Sequence, residues 1–207
     1  GLTRHVVDRN AALVDEARRR MADYVVAGMQ LAPVEPTFTE QRDAILAAAL
    51  AADPEDALLL AEGFARRGAG SCAVSPPRES FDNEGVVESF VVAPAVSVTS
   101  LTIADGATSC DGDGILDQGE VGTVTVSLAN TGLLIAAGTK LTLSSSTPGV
   151  SFPSGTEVDI DALDGFEQVD VTFEIQTEGF VGPTFVQLVA TAENADNCNP
   201  SVVFEGA

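Results

Sequence analysis

A chain of 207 residues carries 31 acids against 10 bases, a formal charge of −21. A surface that negative repels phosphate backbones and anionic lipid, so nucleic acid is excluded as a partner and a soluble extracellular protein is expected. No apolar run reaches the roughly 18 residues of a membrane span, and no span is expected.

The charge divides unevenly at Phe90. The first part holds nine arginines against fifteen acids, and the second holds Lys140 alone against sixteen. The chain opens Gly1-Leu2, with nothing there resembling a signal peptide, so this end is expected to be a cut or processing site with a parent protein upstream.

The first ninety residues read as helices. Between Leu13 and Leu31, apolar residues recur at Leu13, Ala17, Met21, Tyr24, Val25, Gly28 and Leu31 in steps dominated by three and four, one helical face. Pro33 and Pro36 end that helix. Thr37 stands three residues before Glu40, a capping-box spacing with Thr39 as a competing cap, and a second helix runs to about Ala52. Asp53-Pro54 starts a third helix over Pro54–Arg67, expected to bury Leu58, Leu59, Ala61 and Phe64 or neighbours of these, with Gly68 as its exit. Residues 69–91 show no sustained period and read as an extended connection.

From about Val92 the period becomes two. Val124, Val126 and Leu128 alternate with polar residues, as do Val169, Val171, Phe173 and Ile175. Val96, Val98, Leu101 and Ile103 alternate with one slip after Val98, which predicts a bulge. Seven or eight such strands in about 110 residues predict an antiparallel β-sandwich, with a barrel as the lesser alternative. The fold class expected is α+β in two parts: a helical segment with its linker at 1–91, and an acidic Ig-like sandwich at 92–207.

Three cysteines and one histidine, His5, leave almost no room for a Cys/His zinc site. Cys110 and Cys198 lie near opposite ends of the strand series. A disulfide between them is favoured over free buried thiols, with Cys72 left over.

Five pieces of the helical part occur in an order that carries a resemblance. Met21-Ala-Asp-Tyr-Val-Val-Ala-Gly-Met-Gln-Leu-Ala-Pro33 precedes Pro36-Thr37-Phe38 and Arg42-Asp43-Ala44-Ile45-Leu46. Phe64-Ala-Arg-Arg-Gly-Ala-Gly70 and Asp82-Asn83 follow. This order resembles the C-terminal helical segment of fungalysin-type zinc metallopeptidases and covers about a third of the chain. The resemblance implies a His-Glu-x-x-His motif plus a downstream Glu, where two histidines one helical turn apart hold Zn²⁺ and the Glu activates its water. This chain holds no such motif. The resemblance therefore places the zinc, its ligands and the catalytic Glu in an upstream catalytic domain of the same polypeptide. No catalytic residue is assigned here, and His5 reads as a surface group.

The sharpest motif of the second part is Ser109-Cys-Asp-Gly-Asp-Gly-Ile-Leu-Asp-Gln-Gly-Glu120. Against a twelve-residue calcium loop, Asp111, Asp113, the Ile115 carbonyl, Asp117 and Glu120 fall at ligand positions 3, 5, 7, 9 and 12. Ser109 at position 1 and the flanking strands depart from that pattern, and Asp105 is near enough to contribute. The same string resembles the opening of Ig-like repeats in secreted bacterial proteins, where Gly-Glu shapes a turn and seats the next strand. Bound calcium and a structural acidic turn both remain open.

Two functions follow. One is the C-terminal, non-catalytic fragment of a secreted fungalysin-like peptidase whose sandwich serves attachment, targeting or stability. The other is a non-enzymatic module that binds an extracellular protein or cell surface. Sugar recognition is disfavoured, because Trp is absent and the one Tyr lies in the helical part.

Overall fold

The computed structural model describes residues 2–105, 115–117, 119–182 and 184–206, with side chains from residue 11 onward. Two compact units make up the chain, Gly1–Val92 and Ala93–Ala207.

The first unit contains α1 (Leu2–Leu31), α2 (Phe38–Ala52) and α3 (Pro54–Ala65). α1 continues further toward the N-terminus than its apolar stripe predicts. Thr37 caps α2 through a complete capping box: its hydroxyl accepts from the Glu40 N–H, and Glu40 Oε2 accepts from the Thr37 N–H at 2.7 Å. Asp53 ends one helix and begins the next. Its N–H donates to Ala49 O at 2.7 Å, and its carboxylate accepts from the Glu55 and Asp56 N–H groups. Pro54 supplies the helical φ at the first position, where no donor is needed.

The packed face of α3 is the expected one only in part: Ala61 is buried and Phe64 half-buried, but Leu58 and Leu59 are exposed, and the neighbours Ala57 and Ala65 are buried. Alanines thus form the buried face of α3, and Leu58 and Leu59 meet solvent. The connection after α3 is not the extended one expected: it folds back through bridges pairing Ala69 with Ser89 and Val74 with Val87. None of the described helices is long and apolar enough to cross a membrane.

The second unit is an antiparallel sandwich of two four-stranded sheets. β1 (Val96–Ala104), β2 (Val121–Asn130), β6 (Gln168–Thr177) and β4 (Val150–Ser151) form one sheet in the order β1-β2-β6-β4. β5 (Glu157–Leu163), β3 (Ala136–Ser145), β7 (Leu188–Glu193) and β8 (Ser201–Gly206) form the other, in the order β5-β3-β7-β8. The slip in β1 is a register shift between Val98 and Ser100. It restores the inward parity of Leu101 and Ile103, which pack against the core. Val124, Val126, Leu128, Phe173 and Ile175 from one sheet meet Leu141, Leu143, Leu188 and Ala190 from the other.

Three buried asparagines fasten the ends of the strands. Asn130, 1% exposed, accepts from the Ala95 and Gly132 N–H groups and donates to the carbonyls of Leu134, Leu163 and Asp164. It thereby ties the entry to β1 to the turns after β2 and β5. Asn197 pairs with both the N–H and carbonyl of Val96, and Asn194 donates to Ala137 O and Thr139 Oγ1. A buried amide of this kind stabilises only while every bond is made, since each orphaned group costs about 1–3 kcal/mol.

Asn130→Ala leaves two N–H groups and three carbonyls short of a partner. It is expected to cost at least about 3 kcal/mol in urea-induced unfolding. Thr131→Ala next to it removes one exposed bond and is expected to cost less than about 1 kcal/mol.

Candidate functional site

Three of the family-like pieces of the helical unit converge on two structural contacts. The first is the crossing of α1 and α2. A Cβ on Gly28 would lie 2.6 Å from Ile45 Cγ1 and 2.8 Å from Ile45 Cα, so only glycine permits this approach. The Gly28 piece and the Arg-Asp-Ala-Ile-Leu piece are thus the two halves of one contact.

The second contact is centred on Arg42, whose side chain is 6% exposed. Its guanidinium pairs with Asp43 Oδ1 at 2.7 Å and donates to the carbonyls of Ala69, at 3.2 Å, and Gly70. Gly70 is required at that point, because a Cβ there would sit 2.3 Å from Val91 O. Arg42 therefore clamps the Arg-Gly-Ala-Gly turn onto α2. Asp43 thus pairs with its neighbour in the chain, and no local pattern in the sequence signals that Arg42 is buried. Burial pushes the Asp43 carboxyl above its usual value, and Arg42 opposes this.

A third polar group joins α1 to the junction of α2 and α3. Arg20 pairs with Asp53 and with Asp56 Oδ2 at 2.7 Å, and the Tyr24 hydroxyl donates to Asp56 Oδ2 at 2.7 Å. The bond from Arg20 is the main cause holding the Asp53 carboxyl below the ordinary carboxylate range. Every one of these groups bonds to another part of its own scaffold, an arrangement that fixes helices.

The acidic loop is described only in part. Cys110, Asp111 and Asp113 lie outside the described residues, so their positions enter no geometry. Among the proposed ligands, Ile115 is exposed, and Asp117 and Glu120 form a turn. Glu120 Oε2 accepts from the Asp117 N–H at 3.1 Å, and the Glu120 N–H donates to Asp117 O at 3.1 Å. The Gly119 N–H donates to Thr177 O at 3.2 Å, which seats the start of β2 against the end of β6. The same device recurs at Asp164–Glu167 before β6: Glu167 Oε2 accepts from the Asp164 N–H at 2.8 Å, and the Glu167 N–H donates to Asp164 O at 3.2 Å. Two Asp-x-x-Glu turns thus launch the paired strands β2 and β6. This second copy is a signal the sequence carries and the loop comparison overlooked. Among the described residues, no group of three or more His, Cys, Asp or Glu is placed to share a metal ion.

One cysteine expectation is corrected. Cys72 and Cys198 are both disulfide-bonded, so Cys72 is not the leftover thiol. Spacing along the strand series could not reveal this, because it counts sequence distance and not which loops fold back together.

Arg42→Met leaves Asp43 and two carbonyls without their cation and is expected to cost about 3 kcal/mol in thermal unfolding followed by helical circular dichroism. Gly28→Val, which meets backbone atoms of Ile45, is expected to cost at least as much. The same signal tests a pH dependence. Glu40 is held low chiefly by the Thr37 N–H, and Asp53 by Arg20. A carboxyl with a lowered folded pKa contributes stability that is complete above its unfolded value and is lost as pH falls through the folded one. Asp43, raised by burial, acts in the opposite sense. With the exposed Glu16 and Asp82 also lowered, four lowered groups against one raised predict a falling melting temperature below about pH 4.5, and a shallower fall in Glu40→Gln.

The sandwich is similar in fold to several solved structures. It resembles a CARDB domain from Pyrococcus furiosus described in complex with di-metal ions, at 14% identity and TM-score 0.37, covering 56% of this chain and 94% of that one. It also resembles a FixG-related protein from Vibrio parahaemolyticus, at 9% identity and TM-score 0.33, covering 52% and 91%. No curated protein sequence matches the chain. In the helical unit, residues 3–73 match the family model of the fungalysin metallopeptidases, M36.

Proposed function

We propose that this chain is the non-catalytic C-terminal part of a secreted fungalysin-like zinc metallopeptidase, with the sandwich as an accessory domain for attachment, targeting or stability. The observation that carries the reading is the family match over residues 3–73, which spans the three pieces that meet at Gly28–Ile45 and Arg42–Gly70. Those residues support a peptidase lobe by fixing three helices. The chemistry belongs elsewhere in the polypeptide: a gluzincin site needs two histidines one helical turn apart, and this sequence holds only His5. The excess of acids suits an extracellular setting and keeps the protein in solution.

The accessory role keeps an alternative, an adhesion module whose sandwich is stiffened by calcium. What favours it is the spacing of Asp111, Asp113, Asp117 and Glu120. Against it stands the Asp117–Glu120 turn, which engages Glu120 in the manner of Glu167. An ion bound there would stiffen the loop leading into β2 and take no part in peptide cleavage.

The purified chain is expected to retain less than about a tenth of an equivalent of zinc and to leave casein intact. Stoichiometric zinc, or casein hydrolysis abolished by a chelator, would overturn the assignment. Calcium is tested separately by calorimetric titration of the whole chain. Heat of binding with a rise in melting temperature, both lost in Asp113→Asn, supports the ion. A flat titration with an unchanged melting temperature removes it and leaves the turn.

A further inference from the structure

β6 has a full partner strand on one side only. β2 pairs with it from Gln168 to Gln176, whereas β4 pairs with Thr177 and Gln176 alone. In the register of β4, Pro153 would stand opposite Glu174, and it has no N–H to offer the ladder. The chain instead turns toward β5, with the Gly155 N–H donating to Phe152 O at 3.0 Å. Ser154 makes the last bond to β6, its hydroxyl accepting from the Glu174 N–H at 2.8 Å. From Thr172 back to Gln168, no described strand lies on that side.

The main chain of that stretch is aimed outward. The carbonyls of Thr177 and Glu167 face the β2 side, accepting from the Gly119 and Asn130 N–H groups, and the Glu178 N–H faces the β4 side, donating to Gly149 O. Successive residues alternate, so Gln168, Asp170 and Thr172 point N–H and C=O away from β2. Three donors and three acceptors stand in a row about 14 Å long. The rim of the core is open at the same place. Phe173 and Ile175 are buried, but Val169 and Val171 are only half-buried, as are Val158 and Ile160 of β5. The other side of the sandwich is closed, since a Cβ on Gly206 of β8 would meet Leu101 Cδ2 of β1 at 3.5 Å, an ordinary contact.

Charge selects the occupant. The exposed outer side chains along this edge include Asp170 and Glu174. Asp170 accepts from Ser127 Oγ at 2.6 Å, and among the described residues no base pairs with either carboxylate. Lys140, the single base after Phe90, lies on β3 and pairs with Glu157 at 2.7 Å. A second copy would bring sixteen more acids and set carboxylates beside carboxylates. Acidic side chains on an open edge guard it against such a strand and admit a basic one.

We infer that the open edge of β6 is a strand-addition site for an extended segment of a basic partner protein. The segment pairs with Gln168–Thr172, turns apolar residues in over Val169 and Val171, and turns lysine or arginine out toward Asp170 and Glu174. In this mode main-chain bonds supply affinity, and the alternation of side chains supplies selectivity. The inference stands on the sandwich alone and holds whether or not the peptidase assignment does.

The test titrates the whole chain, at low salt, with a capped eight-residue peptide of alternating valine and lysine, followed by calorimetry. Binding is expected, with slowed amide hydrogen exchange at Asp170 and Thr172. The same peptide with glutamate for lysine, and one with its valines and lysines in two blocks, are each expected to bind at least about tenfold more weakly. Thr172→Pro removes an outward N–H that no strand of the fold uses, and is expected to weaken binding at least about tenfold. Asp170→Asn keeps the acceptor for Ser127 and is expected to weaken it about threefold, a result that carries the test by itself where Thr172→Pro melts lower. Glu205→Gln, a carboxylate on β8, is expected to change it by less than about twofold. A flat titration, equal binding of the glutamate or two-block peptide, or unchanged binding in both β6 variants overturns the site. A dimer of the parent chain that Thr172→Pro converts to monomer overturns it in favour of a second copy.

Discussion

A polar group taken out of water must find every bond it has lost, and both units are organised by one residue under that constraint. In the helical unit it is Arg42, whose guanidinium meets Asp43 and the carbonyls of Ala69 and Gly70. In the sandwich it is Asn130, whose amide joins the start of β1 to the turns after β2 and β5. Apolar burial supplies the driving force in each case, but it is non-directional. It does not decide which turn lies against which helix. The directional bonds of Arg42 and Asn130 decide that, because any other arrangement leaves a cation or an amide unpaired in an apolar setting.

This constraint gives the pieces that resemble a peptidase a structural role. Arg42-Asp43 has the look of a catalytic pair, a buried cation beside a carboxylate raised by burial. Yet each hydrogen on the guanidinium that the structure pairs goes to the chain's own carbonyls or to Asp43. Gly28 and Gly70 are required for close approach, to Ile45 and to Val91. A perturbed carboxyl beside an arginine thus marks a clamp here, and the distinction rests on what the pair bonds to.

Much of the fold was legible in the sequence because local signals determine it. Thr37 and Glu40 cap α2, Asp53-Pro54 starts α3, and the slip after Val98 is a bulge. Each is settled within a few residues by hydrogen-bonding capacity or by side-chain parity. What sequence did not show depends on tertiary approach. On α3 Ala61 was expected to be buried, but Ala57 and Ala65 join it in place of Leu58 and Leu59, a choice of face that local periodicity does not encode. Cys72 became a disulfide partner through chain folding that spacing along the strands cannot express. The acidic loop was read from a calcium template, and its Glu120 in fact closes a turn that Glu167 repeats. A search for Asp-x-x-Glu ahead of each strand would have found both.

The two units then stand in different relations to function. The sandwich satisfies its own strand ends and core. The helical unit leaves one flank of α1, and Leu58 and Leu59 of α3, in water. Its match to the fungalysin family model and the chain's single histidine fit the proposed peptidase only if the zinc ligands lie elsewhere in the same polypeptide. The most direct measurement is the coding sequence that precedes these residues in the source genome. The account predicts a His-Glu-x-x-His motif with a further Glu downstream, in frame and within the preceding few hundred codons. An open reading frame without that motif would contradict it.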